Sequence, residues 1–265
     1  MTKNRTYDCD PTMTDSQVWE FCRDGLLVLE GVVPHNINQR TIEFFDQANS
    51  PKANLILAED WFVDNVILNR QAMGVVRSLL GRDFELPRFM TNHRNPCPGP
   101  AQHWHRDGGS IYGPKIDCLQ VFYYPQDTPL ELGPTEVMPG SHFLFSLANY
   151  MDHYQGIADT LHTAAPAGSI FVTIYHLWHR TGASTATGIR NLLKYWYTRT
   201  VEPQRDWIVE DDFDIESTYN MRAGHHDCGR EMHRTFNDTA EVFFWLSGRH
   251  GDYRGRDSSL PVYLR

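Results

Sequence analysis

The sequence predicts a mainly β fold with flanking helices, and two observations carry this prediction. After Gly81, short runs of aromatic and β-branched residues alternate with turn residues. Before Gly81, the apolar residues instead recur at helical spacing around one apolar run. Many short strands of this kind are typical of a β-sandwich or barrel, so we expect such a core with helices packed at its N-terminal side.

The first 80 residues predict helices around a single strand. Thr14–Gln17 has the pattern of a capping box, which predicts a helix that ends at Gly25. The apolar run Leu26–Val33 predicts a buried strand, and a second helix is expected to run through Phe45. Helical stretches then continue to the end of this part of the chain.

The remainder of the chain contains five apolar runs that predict strands. They are Leu86–Met90, Cys118–Tyr124, Thr135–Met138, Ile170–Tyr175 and Leu192–Thr198. A short helix is expected to begin at Asp238 and to end near Gly248. We therefore expect a single domain over residues 1–265, with residues 201–265 as a C-terminal extension packed on it.

Composition and charge exclude several classes of partner. The net charge of -9 disfavours nucleic-acid binding, because phosphate contacts need a basic face. No apolar run approaches the roughly 18 residues of a membrane-spanning helix, and residues 1–11 lack the apolar core of a signal peptide. The five cysteines show no paired spacing, which indicates a reducing, cytoplasmic setting. Assembly into a homo-oligomer stays open.

The segment Gln102–Gly109 carries the most informative chemistry. Alternate residues of a strand face the same side, so His105 and Asp107 are expected to point into one cavity, and His103 can do so too. Two imidazoles and one carboxylate leave open positions on iron(II), as an oxygenase requires. A His-x-Asp pair alone is more often a hydrogen-bonded turn, so a third ligand must come from elsewhere.

A candidate third ligand, His179, follows the predicted strand Ile170–Tyr175. Eleven residues later, Arg190 opens the next strand-like run. An arginine buried in a β core needs an anionic partner, because an unpaired buried charge is very costly. Its planar fork suits a carboxylate held by two bonds, so a dicarboxylate that also chelates iron would satisfy it. A salt bridge to an Asp or Glu is the alternative.

Four motifs occur in a familiar order along the chain. They are Phe21–Val32, His105-Arg106-Asp107, Gly133–His142, and His179 followed by Arg190. In this order they resemble the phytanoyl-CoA dioxygenase family of iron(II)- and 2-oxoglutarate-dependent oxygenases, over roughly residues 15–200. The resemblance implies a double-stranded β-helix, which is a jelly-roll of the cupin type.

The resemblance also implies roles for individual residues. His105, Asp107 and His179 would be the iron(II) ligands and the catalytic centre, and Arg190 would bind the distal carboxylate of 2-oxoglutarate. Weaker candidates for contacts with this co-substrate are Thr135, Gln102 and Thr181. Related halogenases replace the carboxylate with a small residue, so Asp107 argues for hydroxylation or another oxidation. O2 would be the oxidant, ascorbate an auxiliary reductant, and succinate and CO2 the co-products.

The substrate is expected to be a small-molecule metabolite, and we favour one from secondary metabolism over a CoA thioester. Aromatic or cationic side chains near the motifs are candidates for the pocket, with a place in the core as the alternative for each. They are Trp104, Arg106, Tyr112, Phe122, Tyr123 and Trp178. The identity of the substrate, the position oxidised, and the choice among hydroxylation, desaturation, cyclisation and dealkylation stay open.

Two other functions compete with this interpretation. A zinc-dependent hydrolase would use His103, His105 and Asp107, although Gly108 stands where the metallo-β-lactamase pattern has a histidine. A catalytically silent jelly-roll binding protein is the second alternative. Among the remaining histidines, we expect a structural role for the one in the Gly133–His142 motif and a surface turn at His225–Cys228.

Overall fold

The computed structural model of the protein describes residues 5–47, 53–108, 113–143, 150–151, 156–214 and 238–253. Its α-helices are α1 (Asp15–Asp24), α2 (His35–Asp46), α3 (Asp60–Phe62), α4 (Arg70–Leu80) and α5 (residues 238–246). Its strands are β1 (Thr6–Tyr7), β2 (Leu26–Leu29), β3 (Phe84–Glu85), β4 (Met90–Asn92), β5 (Asn95–Gly99), β6 (Trp104–His105), β7 (Cys118–Tyr124), β8 (Thr135–Val137), β9 (Tyr150–Met151), β10 (Leu161–His162), β11 (Ser169–Ile174), β12 (His179–Thr181), β13 (Ser184–Arg190) and β14 (Leu193–Thr198).

Two antiparallel sheets make up the β core. The larger sheet has the order β1-β3-β14-β7-β11-β2, with β4 paired to β14. The smaller has the order β10-β8-β12-β6-β9, and β13 pairs with β5 as a separate ribbon. The inner faces of the two sheets meet where the ring of Phe122 from β7 lies 5.5 Å from that of His179 from β12. The fold is thus the predicted double-stranded β-helix with flanking helices.

The helices cover the outer face of the larger sheet. Alternate residues of β7 and β14 point to this side, and Tyr123 and Tyr197 are both fully buried there. The ring of Tyr123 lies 6.3 Å from that of Phe62 in α3, and the hydroxyl of Tyr197 donates to the carbonyl oxygen of Ile67. The opposite residues of the same strands therefore face the smaller sheet.

Local signals in the sequence explain where α1 begins and ends. Thr14 accepts a hydrogen bond from the backbone N–H of Gln17, whose side chain caps Thr14 in return, so the predicted capping box is present. The helix ends at Gly25, which has a φ of +74°, a conformation that favours glycine.

Two of the predicted strands need correction. The run Leu26–Val33 contributes only β2, and Val28 is exposed, because β2 lies at the edge of the sheet and the chain turns at Gly31 with a φ of +61°. The run Leu86–Met90 is a connection between β3 and β4, because Pro87 cannot donate a ladder hydrogen bond. The other predicted strands, which end up as β7, β8, β11 and β14, are each within one residue of the prediction.

The C-terminal region is attached to the start of α1. The buried carboxylate of Asp15 accepts hydrogen bonds from the side chains of Arg205 and Trp207 and from the backbone N–H of Glu210. Helix α5 adds the ring of Phe243, which packs 5.6 Å from Trp207. Residues 215–237, which include the predicted turn with His225, lie outside the described residues. None of the described helices is long and apolar enough to cross a membrane.

The histidine of the Gly133–His142 motif has the structural role expected of it. The Nε2 atom of His142 donates to the carbonyl oxygen of Cys22 over 2.9 Å, which ties the turn after β8 to α1. Its Nδ1 atom is buried with no hydrogen-bond partner among the described residues. A proton added at Nδ1 would therefore be a buried charge without a partner.

We expect His142 to make the protein less stable in acid. Burial, with the nearby His176 as a smaller cause, lowers the pKa of His142 to about 3 from an ordinary 6.5. The unfolded chain then binds the proton more tightly, so the stabilisation is complete above about pH 6.5 and is lost as the pH falls toward 3. The loss at pH 5 is about 2 kcal/mol. Urea unfolding at pH 7.5 and pH 5 measures it.

The variant His142→Gln keeps a donor for Cys22 and removes the titration. Between pH 7.5 and pH 5, the free energy of unfolding of this variant should decrease by about 2 kcal/mol less than that of the wild type. The exposed His35 provides the matched control, His35→Gln, which should behave as the wild type. An unchanged pH dependence in His142→Gln would show that this histidine does not carry the acid sensitivity.

Candidate active site

Strands β6 and β12 bring together the three predicted metal ligands. His105 is the cross-strand partner of His179, and their rings are 4.5 Å apart. Asp107 follows two residues after His105 on the same side. One ligand atom from each of the three residues lies within 4.8 Å of the others, which is compatible with coordination of a single ion.

The hydrogen bonds of the two imidazoles prepare them for a metal. Nδ1 of His105 contacts the carbonyl oxygen of His103 at 3.0 Å, and Nδ1 of His179 contacts that of Leu177 at 2.9 Å. A carbonyl oxygen only accepts, so Nδ1 carries the proton in each ring and Nε2 presents its lone pair to the site. Burial, followed by the nearby His179, lowers the pKa of His105, which favours the neutral form that binds metal.

The surroundings of His179 Nε2 show whether these residues fit a metal ion. This atom is buried without a hydrogen-bond partner, yet it lies 3.4 Å from Oδ2 of Asp107. Two lone pairs at this distance repel each other unless a cation lies between them. The donor set of two imidazoles and one carboxylate, with open positions left over, fits iron(II).

Two side chains of the larger sheet hold the carboxylate of Asp107. Nε2 of Gln120 donates to Oδ2 over 2.6 Å, and Nζ of Lys194 donates to the same atom over 2.5 Å. Burial alone would raise the pKa of Asp107, but the facing His179 and Lys194 outweigh it and keep the pKa well below its ordinary value. The carboxylate is therefore ionised and fixed in orientation before a metal binds.

A second site for a charged group lies around Arg190, which is fully buried. Its Nη1 donates to the carbonyl oxygen of Gly133 over 2.6 Å and its Nη2 to the hydroxyl of Thr181 over 3.2 Å, while Nε has no partner. Burial lowers the pKa of Arg190, but a guanidinium stays charged. No described Asp or Glu pairs with it, so the salt bridge considered from the sequence is not formed within the described residues.

Hydroxyl groups complete the surroundings of Arg190. Thr135 is the cross-strand partner of Thr181, which binds the guanidinium. The backbone N–H of Thr135 donates to the hydroxyl of Tyr124, and that hydroxyl also contacts Thr163 at 2.9 Å. The hydroxyl of Thr135 lies 3.1 Å from that of Tyr124, so it belongs to the same hydrogen-bonded group of hydroxyls beside the guanidinium.

The distance between the two sites suits a dicarboxylate. His179 and Thr181 are alternate residues of β12, so they share a face and lie about 6.6 Å apart along the strand. A five-carbon dicarboxylate can span this length with one end at the metal ligands and the other at Arg190. The cluster of one guanidinium and several hydroxyls is the donor set that a carboxylate accepts.

Several predicted pocket residues lie away from the metal ligands. Trp104 and Arg106 alternate with His105 and Asp107, so they point to the other face of the smaller sheet. There the guanidinium of Arg106 lies 5.2 Å from the ring centroid of Trp178, which alternates with His179 in the same way. All three are buried. Their assignment to the substrate pocket is therefore corrected.

The remaining candidates are divided among different places. Phe122 lies on the inner face, with its ring 5.5 Å from that of His179, as predicted for the pocket. Tyr123 belongs to the core on the helix side, where its hydroxyl donates to Asn38. The side chain of Gln102 is exposed, and only its backbone N–H bonds to Thr181. Tyr112 lies outside the described residues.

The zinc-hydrolase arrangement is not assembled in the structure. His103 is exposed and is not part of the ligand cluster, which contains His179 instead. His176, three residues before His179, is buried elsewhere, and burial lowers its pKa to about 4. The fold therefore places His179, and not His176, beside His105.

The sequence did not reveal several functional candidates, which lie around Asp107 and His105. Gln120 and Lys194 contact Asp107, and His93 is a further neighbour whose pKa burial, followed by Lys194, lowers to about 4. Tyr150 stacks on His105 at 6.0 Å and is 64% exposed, at the rim of the site. A polar residue inside an otherwise apolar strand is the sequence signal that points to such candidates, as with Gln120 in Cys118–Tyr124.

Comparisons with known proteins agree with this arrangement. The sequence profile of the family described as phytanoyl-CoA dioxygenase matches residues 21–192. A similar solved structure is HygX from Streptomyces hygroscopicus with nickel and 2-oxoglutarate bound, at 17% identity and a TM-score of 0.58, covering 72% of this chain and 88% of HygX. HygX with iron bound gives 16% identity and a TM-score of 0.57, covering 72% and 89%.

A second similar protein is the non-heme α-ketoglutarate-dependent epimerase SnoN from nogalamycin biosynthesis. It gives 15% identity and a TM-score of 0.56, covering 69% of this chain and 81% of SnoN. At such identities these likenesses show the fold. The comparison with curated proteins gave no significant match.

The profile match covers well over half of the chain and includes the three metal-ligand candidates and Arg190. The structure has the two sheets that the predicted fold requires. It also brings the two histidines and one aspartate of the sequence motifs into one cluster and buries the guanidinium of Arg190. The chain belongs to the phytanoyl-CoA dioxygenase family of iron(II)- and 2-oxoglutarate-dependent oxygenases.

Proposed function

We propose that the protein hydroxylates an unactivated C–H bond of a small-molecule metabolite and converts 2-oxoglutarate to succinate and CO2. The observation that carries the proposal is the combination of a His-Asp-His cluster with a fully buried guanidinium that has no described carboxylate partner. A metal site alone would serve many reactions. The buried cation on the same face adds the requirement for an anionic co-substrate.

Each residue of the site has a defined task in this reaction. His105, Asp107 and His179 would hold iron(II), which, when bound with 2-oxoglutarate, supplies the activation of O2. Arg190 and the hydroxyl of Thr135 would orient the distal carboxylate of the co-substrate. These contacts fix the co-substrate before the reaction, so little reorganisation is needed during it.

The surrounding side chains keep the site ordered and dry. Gln120 and Lys194 hold Oδ2 of Asp107 and so restrict the ways in which this carboxylate can bind a metal. Phe122 packs between the ligand His179 and the core of Tyr124 and Phe171, which excludes water from the inner end of the cavity.

Secondary metabolism is the setting that we favour for this enzyme. HygX has been solved with nickel, 2-oxoglutarate and hygromycin B bound, and SnoN is described from nogalamycin biosynthesis. Both are proteins of similar fold that handle natural products. We infer a natural-product intermediate as the substrate.

Release of succinate tests the reaction class. Purified protein with iron(II), ascorbate, O2 and 2-oxoglutarate should form succinate slowly without substrate, and Asp107→Ala should not. Addition of fractionated metabolites should increase the rate and give a product that carries one oxygen atom from labelled O2. Stoichiometric zinc that iron does not displace, with no succinate formed, would instead support the hydrolase alternative. A product without the label would contradict hydroxylation.

A further inference from the structure

Three aromatic side chains lie together on the inner side of the larger sheet. The ring of Trp196 is 5.6 Å from that of Phe89 and 6.5 Å from that of Tyr175, measured between centroids. Phe89 precedes β4, Trp196 belongs to β14 and Tyr175 follows β11, so three separate elements bring the rings together. We refer to Phe89, Trp196 and Tyr175 as the aromatic wall.

The aromatic wall lies next to a metal ligand. Trp196 is the cross-strand partner of Gln120, whose side chain donates to Asp107. A Cβ added to Gly108 would lie 2.6 Å from Cε1 of Tyr175, so this ring packs against the residue that follows Asp107. Phe89 at the far end of the wall is 42% exposed. The wall therefore leads from the metal ligands to the surface.

The other side of the metal site has a different character. Arg190, Thr181 and Thr135 form a buried polar end, which the proposed function assigns to 2-oxoglutarate. The aromatic wall lies on the other side of Asp107 from this polar end. Lys194, which contacts Asp107, pairs with Phe122 across β14 and β7, and Trp196 is the next residue along β14 that faces the same way. This places the wall where the second substrate must approach the metal.

The aromatic wall is suited to bind a ligand that contains a ring. The planes of Phe89 and Trp196 meet at 41°, and those of Tyr175 and Trp196 at 54°, so both ring faces and ring edges are available for contact. Aromatic rings pack against such surfaces through face and edge contacts, and the apolar C–H faces of sugar rings can do so as well.

The charges around the wall argue against a cationic group. Strands β4, β7, β11 and β14 contain no Asp or Glu, but Glu85 of β3 pairs with Thr198 on the face of β14 that carries Trp196, and its carboxylate is bound by Arg88. Lys194 is the cation on the inner side of these four strands, and it already engages the carboxylate of Asp107 at 2.5 Å. A positively charged substrate group would meet Lys194 and Arg88 there, while the two described carboxylates beside the wall, those of Asp107 and Glu85, are already paired with these cations.

We propose that the aromatic wall binds a ring of the substrate and that this ring carries no positive charge. The proposal rests on the proposed function, since it assigns the wall to the substrate of the same metal site. It narrows the substrate class to aromatic or sugar-bearing molecules that are uncharged or anionic at the ring next to the metal.

Calorimetric titration with three probes tests the proposal on anaerobic protein loaded with iron(II) and 2-oxoglutarate. The probes are anthraquinone-2-sulfonate as a planar aromatic anion, methyl β-maltoside as an uncharged sugar, and hygromycin B as a sugar scaffold that carries amines. We expect saturable binding of one of the first two, which also identifies the ring type. Hygromycin B should bind at least about tenfold more weakly.

Variants of the wall locate the binding. Phe89→Ala and Trp196→Ala should each weaken the bound probe at least about tenfold, whereas Val209→Ala, an exposed apolar control far along the chain, should not. Unchanged affinity in both wall variants, tighter binding of hygromycin B, or no saturable binding of either ring probe would overturn the proposal.

The absorbance of the iron(II)–2-oxoglutarate charge-transfer band separates this proposal from the proposed function. The band is recorded for each protein before the probes are added. A band that persists in Phe89→Ala and Trp196→Ala shows that these variants are folded and that any loss of probe binding belongs to the wall. A band that is absent from the wild type would overturn the proposed function instead.

Discussion

Replacement of Arg190 by methionine is expected to raise the concentration of 2-oxoglutarate for half-maximal turnover by at least about 100-fold, a change of about 2.7 kcal/mol. The fully buried guanidinium donates to one carbonyl and one hydroxyl, and its Nε has no partner. A carboxylate of the co-substrate would complete this set with charge-assisted bonds, and methionine offers none of them.

The same substitution should not destabilise the protein in the absence of co-substrate. A buried charge without an ionic partner costs free energy, and an apolar side chain of similar length removes that cost. We expect the melting temperature of Arg190→Met without 2-oxoglutarate to be at least that of the wild type, and 2-oxoglutarate to raise only that of the wild type. The exposed Arg88 supplies the matched control, Arg88→Met. Equal co-substrate dependence in both variants would show that Arg190 has no role in binding it.

Replacement of His179 by alanine is expected to abolish iron-dependent turnover, with a decrease of at least about 1000-fold. His179 supplies the buried Nε2 lone pair beside Asp107, and the two remaining candidate ligands would leave the ion held by one imidazole and one carboxylate. Metal analysis after equilibration with iron(II) should show less than one ion per chain in the variant and one in the wild type.

His176 provides the control for this prediction. It lies three residues before His179, is equally buried, and is not part of the ligand cluster. His176→Gln should therefore retain stoichiometric iron. Loss of iron in His176→Gln together with full iron in His179→Ala would mean that the wrong histidine has been assigned.

The sequence was sufficient to find the candidate metal ligands because their signals are local or depend on fixed spacing. The alternation of strand residues predicts that His105 and Asp107 face one side, and His179 stands out because Arg190 follows it eleven residues later. The structure brings ligand atoms of His105, Asp107 and His179 within 4.8 Å of one another. The mainly β fold with flanking helices is confirmed.

The same alternation shows why part of the pocket was assigned wrongly. Residues adjacent to a ligand in a strand face away from it, so Trp104 and Arg106 could not share a cavity with His105. A residue next to a ligand in the sequence therefore lies away from the candidate metal ligands, because strand side chains alternate with a period of two.

The partners of Asp107 could not be obtained from local patterns. Gln120 and Lys194 lie 13 and 87 residues from Asp107 along the chain, and they meet it only through the packing of one sheet on the other. Strand register between β7 and β14 decides which polar side chains share a face. The register between β4 and β14 likewise brings Phe89 beside Trp196, and without it the aromatic wall cannot be recognised.

Visible absorption of the anaerobic protein during titration with iron(II) and 2-oxoglutarate tests the central claim most directly. The account predicts a charge-transfer band that saturates at one iron per chain in the wild type. It also predicts no band in His179→Ala at any co-substrate concentration. In Arg190→Met, the 2-oxoglutarate concentration at which the band is half-saturated should be at least about 100-fold higher than in the wild type. A wild-type protein without the band, or an undiminished band in His179→Ala, would contradict it.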